Sequence, residues 1–214
     1  MTEEKKCPLY KKCGGCQLQN LSYAEQLKFK QRKVEKLLGE FAHVEPIIGM
    51  AEPYHYRNKV QAAFATARNG KIISGVYQSG THSIVCVDSC LTEDRKADEI
   101  IVSIRNMLKS FRIQPYDERS GGGTLRHVLV KRGFKTNQIM VVLVTAGPIF
   151  PAKNNFVKAL RKEHPDITTI VHNINPIRRA LCSASAKMCS TVRAKSRTSS
   201  AGSHSGYLRA HFIR

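Results

Sequence analysis

"GGGTLRHVLVKRGFKTNQIMVVLVTAG", residues 121–147, decides the fold class. Its halves, "GGGTLRHVLVKRG" and "NQIMVVLVTAG", are rich in Val, Ile and Leu, with Gly133 to Asn137 between them. That pattern predicts two long strands closed into a hairpin. Downstream, "AKNNFVKALRKEHPD" reads as a short helix and "ITTIVHNIN" as another strand. Upstream, "RKADEIIVSIRNMLKSF" sets Ile100, Ile101, Ile104, Met107, Leu108 and Phe111 on one side of a helix. Before it, "NKVQAAFAT" alternates, "NGK" marks a turn, and "IISGVYQ" and "HSIVCVD" are β-rich. The prediction is an α+β fold: an antiparallel sheet of about five strands with about three helices. It covers residues 21–176, behind an N-terminal ligand-bearing loop over residues 1–20.

Near the start, Ser22 and Glu25 have capping-box spacing. The helix that follows places Leu27, Val34, Leu37 and Leu38 on one face, keeps its lysines largely off that face, and stops at Gly39. This helix is expected to leave a bare apolar face unless another part of a protein covers it.

The chain has 214 residues and a net charge of +19. A field of that size points to polyanions, and to nucleic acid first. No apolar run is long enough for a membrane helix, and "MTEEKK" opens no signal peptide, so the reducing cytosol is the expected compartment. Residues 177–214 hold eight Lys/Arg and no Asp or Glu, lack periodicity, and read as an irregular basic tail. Without those eight charges the net is still 19 − 8, or +11.

Seven cysteines, at positions 7, 13, 16, 86, 90, 182 and 189, are an odd set for a disulfide framework. Three of them stand as Cys7-x5-Cys13-x2-Cys16, with Gly14 and Gly15 able to fold the loop tightly. A cubane needs four thiolates, three often local and one distant. Structural zinc also needs four ligands. Cys86 lies inside an alternating strand and reads as a core thiol, whereas Cys90 stands at the strand exit where a loop can aim it. Cys90 is therefore the expected fourth ligand, with the spacing balanced between a [4Fe–4S] cluster and zinc.

Six segments then carry a resemblance: "CPLYKKCGGCQLQNLSYAEQLKFKQRKVEKLL", "YRNKVQAAF", "CLTE", "GTLRHVLVKRG", "NQIMVVLVT" and "IVHNINP". In that order they resemble the RNA (uracil-5-)-methyltransferase family, in its bacterial 23S rRNA branch. The resemblance spans residues 7–176. It implies a [4Fe–4S] cluster on Cys7, Cys13, Cys16 and Cys90, ribosomal RNA as partner, and a monomer in the cytoplasm. It also implies S-adenosylmethionine as methyl donor, bound by a domain that these 214 residues do not contain. No catalytic residue carries over, and the chain by itself is expected to be inactive. Certain codons for residues 187–194 and 206–214, read one base early, spell what that family has after "NINP". A frameshift near residues 177–186 is the corresponding expectation.

Arg57, Lys59, Arg126, His127, Lys131 and Arg132 lie on strand-like runs and are the expected RNA contacts. Strand alternation sets Arg126 and His127 on opposite faces, and likewise Lys131 and Arg132. Tyr54, Tyr56 and Phe134 could stack bases, although packing is the commoner use of such rings. Gly121–Gly123 precedes a strand and reads as a flexible connector.

Overall fold

The structure, a computed structural model, describes residues 7–177 and 189–193. Four helices are described: α1 Tyr10–Cys13, α2 Tyr23–Leu38, α3 Arg95–Met107 and α4 Lys153–Glu163. The seven strands are β1 Lys59–Thr66, β2 Ile72–Tyr77, β3 Ile84–Cys86, β4 Leu125–Arg132, β5 Ile139–Thr145, β6 Ile167–Ile174 and β7 Cys189–Arg193. They form one sheet in the order β3-β2-β1-β4-β5-β6-β7.

The sheet is mixed, which corrects the expectation of an antiparallel one. β5 and β6 run parallel, Val141 beside Ile170 and Leu143 beside His172. The helix read between them is the reason, because a strand–helix–strand unit returns the chain to its starting end. The expected hairpin is present as β4–β5, with Val130 opposite Val141. Its turn closes through Asn137, whose amide donates to the Gly133 carbonyl at 2.8 Å with φ at 53°. β7 pairs antiparallel with β6 in part of the tail expected to be irregular. Residues 178–188 and 194–214 lie outside the described residues.

One face of the sheet is covered by α3 and α4. Val60, Val130, Val141 and Ile170 make one row across β1, β4, β5 and β6, and Ala62, Val128 and Leu143 begin the next. Ile100, Ile101 and Ile104 of α3 and Phe156 and Leu160 of α4 bury against them. Each such side chain contributes about 1.5–3 kcal/mol when taken out of water. Phe156 sits edge-on to Phe111 and Phe150, with centroids 5.3 Å away in both cases.

The other face carries no helix among the described residues. Gln61, Leu129, Val142 and Val171 form a half-buried row on it. Lys59 and Lys131 stand directly opposite each other on neighbouring strands, both exposed.

Several local expectations change. Cys86 is exposed rather than a core thiol, because β3 is a three-residue strand at the edge of the sheet. Gly121–Gly123 closes a hydrogen-bonded turn, with the Asp117 amide donating to the Gly122 carbonyl at 2.8 Å. A side chain at Gly123 would come within 2.1 Å of the Pro115 carbonyl oxygen. α2 has the capping box read from sequence: the Ser22 amide donates to Glu25 Oε2 at 2.8 Å, and the Glu25 amide to Ser22 Oγ at 3.3 Å. It buries no residue, however, and Leu37 and Phe41 are 63% and 81% exposed.

β4 also corrects the expectation that Arg126 and His127 offer a surface to RNA. Both are buried, with the β4–β5 register shifting between Leu125 and His127. His127 packs edge-on to Tyr77 at 6.2 Å, reaching across the small Ala63, and its Nδ1 has no hydrogen-bond partner. Burial, reinforced by the Arg126 charge, pushes the His127 imidazole down to about 4. Burial likewise holds His164 and His172 low.

Two expectations follow from this core. Phe156→Ala should cost about 3–5 kcal/mol in denaturant unfolding. His127 folds neutral, so the stability it contributes is present above pH 6.5 and is lost as pH falls through about 4. The thermal midpoint of the wild-type chain should therefore fall over that window, and His127→Gln should flatten the fall.

Candidate functional site

The N-terminal loop folds around α1, a single turn. The Cys13 amide donates to the Leu9 carbonyl at 2.8 Å, and Gly14 ends the turn in the left-handed region at φ 68°. Gly14 lies against the turn after β2, where an added Cβ would meet Ser79 Cβ at 2.9 Å. A side chain at Gly15 would come to 3.2 Å from Cys13 Sγ. The two glycines keep this loop tight and leave the sulfurs uncrowded.

Cys90 precedes a stretch that runs beside the segment leading into β1. Residues 55–57 run beside 91–94: the His55 amide donates to the Leu91 carbonyl at 2.8 Å and the Arg57 amide to the Thr92 carbonyl at 2.9 Å. The Cys90 amide donates to Asp98 Oδ2 at 2.8 Å, and its Sγ lies 3.4 Å from Thr92 Oγ1.

Of the four expected ligands, the other three act on Cys16. Burial pushes the Cys16 thiol up, and the neighbouring sulfurs of Cys90, Cys13 and Cys7 push it further, against the pull of Arg57. All four are free thiols. Cys86 instead lies 3.5 Å from an Arg105 guanidinium nitrogen and 3.9 Å from Asp88 Oδ1. Among the described residues, no three His, Cys, Asp or Glu side chains are drawn to the closeness of a single-ion site.

Beneath Cys90 lies a pair of buried acids. Burial, then the Asp98 charge, pushes Glu93 up to about 7, and burial raises Asp98 as well. Both carboxyls are raised by burial, and Asp98 accepts from the Cys90 amide. Asp94 caps α3, accepting from the Ala97 amide at 3.1 Å.

The expected RNA-contact residues divide. Arg126 is closed in: it donates to the Asn175 carbonyl at 3.2 Å and to the Ile177 carbonyl, lies 3.3 Å from Glu118 Oε1, and covers the Tyr116 ring at 4.5 Å. Arg132 spends its fork on Asp94 Oδ2 at 3.1 Å and Asn137 Oδ1 at 3.0 Å, tying β4 to the cap of α3. Arg57 is 45% exposed and faces Glu93 Oε1 at 3.9 Å. Arg57, Lys59 and Lys131 therefore remain as outward cations. Lysines directly opposite across strands repel each other, and a bound anion relieves that.

Beside the cysteines, between their loop, α2 and residues 50–57, lies a cavity of about 300 Å³. Tyr23, Tyr54 and Tyr56 line it together with Gln17, Lys30 and Arg57. Sequence reading offered the two later tyrosines as candidate stackers but did not join them to Tyr23, which the helix brings in from another segment.

No family profile matches the chain. An uncharacterized RNA methyltransferase of Clostridium acetobutylicum is 45% identical over 177 residues, covering 79% of this chain and 38% of the relative. One from Halalkalibacterium halodurans is 39% identical over 180 residues, covering 82% of this chain and 39% of the relative. The crystal structure of Pyrococcus abyssi tRNA (uracil-54, C5)-methyltransferase, in complex with S-adenosyl-L-homocysteine, superposes with a TM-score of 0.65 at 24% identity. That match covers 86% of this chain and 42% of the other. The chain thus spans about two fifths of the length of the curated relatives it matches, and over that length it is homologous to RNA methyltransferases.

Proposed function

We propose that this chain is the cluster-bearing, RNA-gripping part of an S-adenosylmethionine-dependent RNA (uracil-5-)-methyltransferase that acts on 23S rRNA in the cytoplasm. What supports the reading is that Cys7, Cys13 and Cys90 all act on the Cys16 thiol, in a chain homologous over its matched length to RNA methyltransferases. The donor set suits a [4Fe–4S] cluster in number and kind. Zinc draws four sulfurs to one ion, while a cubane takes each thiolate on a separate iron and accepts a wider ring. A bound cluster would staple the N-terminal loop to the exit of β3, with Gly14 and Gly15 making room and Asp98 fixing the Cys90 backbone. Outside it, Arg57, Lys59 and Lys131 bind phosphate. The relatives' names and the S-adenosyl-L-homocysteine complex of the Pyrococcus enzyme support methyl transfer to a uracil as the activity of the whole protein.

Anaerobic purification of the full chain should give about four iron and four sulfide per chain. Cys90→Ser should lower both, and Cys86→Ser should leave them unchanged. Retention of iron and sulfide by the Cys90 variant would remove Cys90 from the ligand set, and zinc in their place would refute the cluster. Binding to a 23S rRNA fragment should weaken steeply with salt. Lys59→Ala and Lys131→Ala should each reduce the slope of log K against log salt by about 1, as expected for one lost phosphate contact.

A further inference from the structure

Of the four cysteines, Cys16 alone lines the cavity beside their loop. Its walls come from three distant segments. Gln17 arrives from the cysteine loop, Tyr23 and Lys30 from α2, and Tyr54, Tyr56 and Arg57 from the stretch before β1. The α2 wall is held in register by polar ties: the Met50 amide donates to the Tyr23 hydroxyl at 2.7 Å, and the Ile47 amide to Gln31 Oε1 at 2.8 Å. Gly49 lets this strap, residues 47–50, pass close to α2, since an added Cβ would meet Leu27 Cδ1 at 2.9 Å.

These walls have the chemistry of a nucleotide site. Aromatic faces take unstacked bases of any kind. A carboxamide such as Gln17 offers a donor and an acceptor to a base edge. Lys30 and Arg57 supply charge for a phosphate. Among the described residues, the Gln17, Lys30, Tyr54 and Tyr56 side chains make no hydrogen bond or ion pair, so their polar groups are available to a ligand. A volume of about 300 Å³ stands at the small end of ligand sites and suits one base with its sugar, not a duplex. Arg57 connects the cavity to Lys59, two residues on, and Lys59 stands opposite Lys131. The two lysines give the strand's phosphates a path away from the cavity.

We propose that this cavity receives one unstacked base of a single-stranded RNA and stacks it on Tyr54 and Tyr56, as a recognition site apart from the base that is methylated. The proposal rests on the RNA reading above and extends it to a specific pocket.

The test uses the full chain and a short single-stranded oligoribonucleotide of the 23S rRNA sequence, with one 4-thiouridine placed in turn at each uridine position. Tyr54→Leu and Tyr56→Leu should each weaken binding about 5- to 100-fold, the usual loss for one stacked base, without changing the salt slope. Tyr54→Phe, which keeps the ring, should bind as the wild type does. On the wild-type chain, irradiation should place a crosslink within residues 15–30 or 50–57, a readout that needs no variant to fold. Leucine variants that bind within twofold of wild type, or crosslinks confined to β1 and β4, would overturn the pocket while leaving RNA binding in place. Failure of the wild-type chain to bind the oligoribonucleotide in a salt-dependent way would instead overturn the RNA reading itself.

Discussion

One carboxylate connects the core to the chemistry. Asp98 sits on the buried face of α3, in the helix that also sends Ile100, Ile101 and Ile104 into the sheet. Its Oδ2 accepts from the Cys90 amide, so the backbone at Cys90 is tied to the helix that packs on the sheet. A lone charge in that position would be costly. Burial pushes both Asp98 and its neighbour Glu93 towards the protonated form, and the Cys90 backbone amide gives Asp98 a hydrogen-bond partner. Cys7, Cys13 and Cys16 stand instead on a loop whose own helix buries no residue.

Much of this fold was legible because it is local. The capping box of α2, the isoleucine stripe of α3 and the β4–β5 hairpin all follow from periods of 3.6 and 2 and from turn residues. The parallel pairing of β5 and β6 was not read, because strand direction depends on where a helix returns the chain, and no residue type encodes that directly. The choice of Cys90 over Cys86 rested on the exit from a strand, and Cys90 is among the groups whose charge acts on Cys16. The reasoning about Cys86 failed, since alternation cannot distinguish an edge strand from a central one.

The same limit explains Arg126 and His127. Charged and titratable residues usually mark solvent, so both were expected on a surface. β4 is central, however, and the 116–118 loop and the segment after β6 fold over its start. Arg126 is tolerated there because two carbonyls, a carboxylate and a ring complete its shell. His127 is tolerated by giving up its charge. The cavity was illegible for another reason. Its three tyrosines belong to two segments separated by the length of α2, and only the path of the strap brings them together.

The uncovered side of α2 has a colloidal consequence. Leu37, Leu38, Phe41 and Ile48 present greasy surface to water, and such patches draw molecules together. A net charge of +19 keeps copies apart across a distance set by the ionic atmosphere. Added electrolyte shortens that reach and, in the same stroke, loosens any polyanion that would otherwise coat the chain. Conditions that strip nucleic acid from this molecule are thus the ones under which its copies adhere to one another most readily.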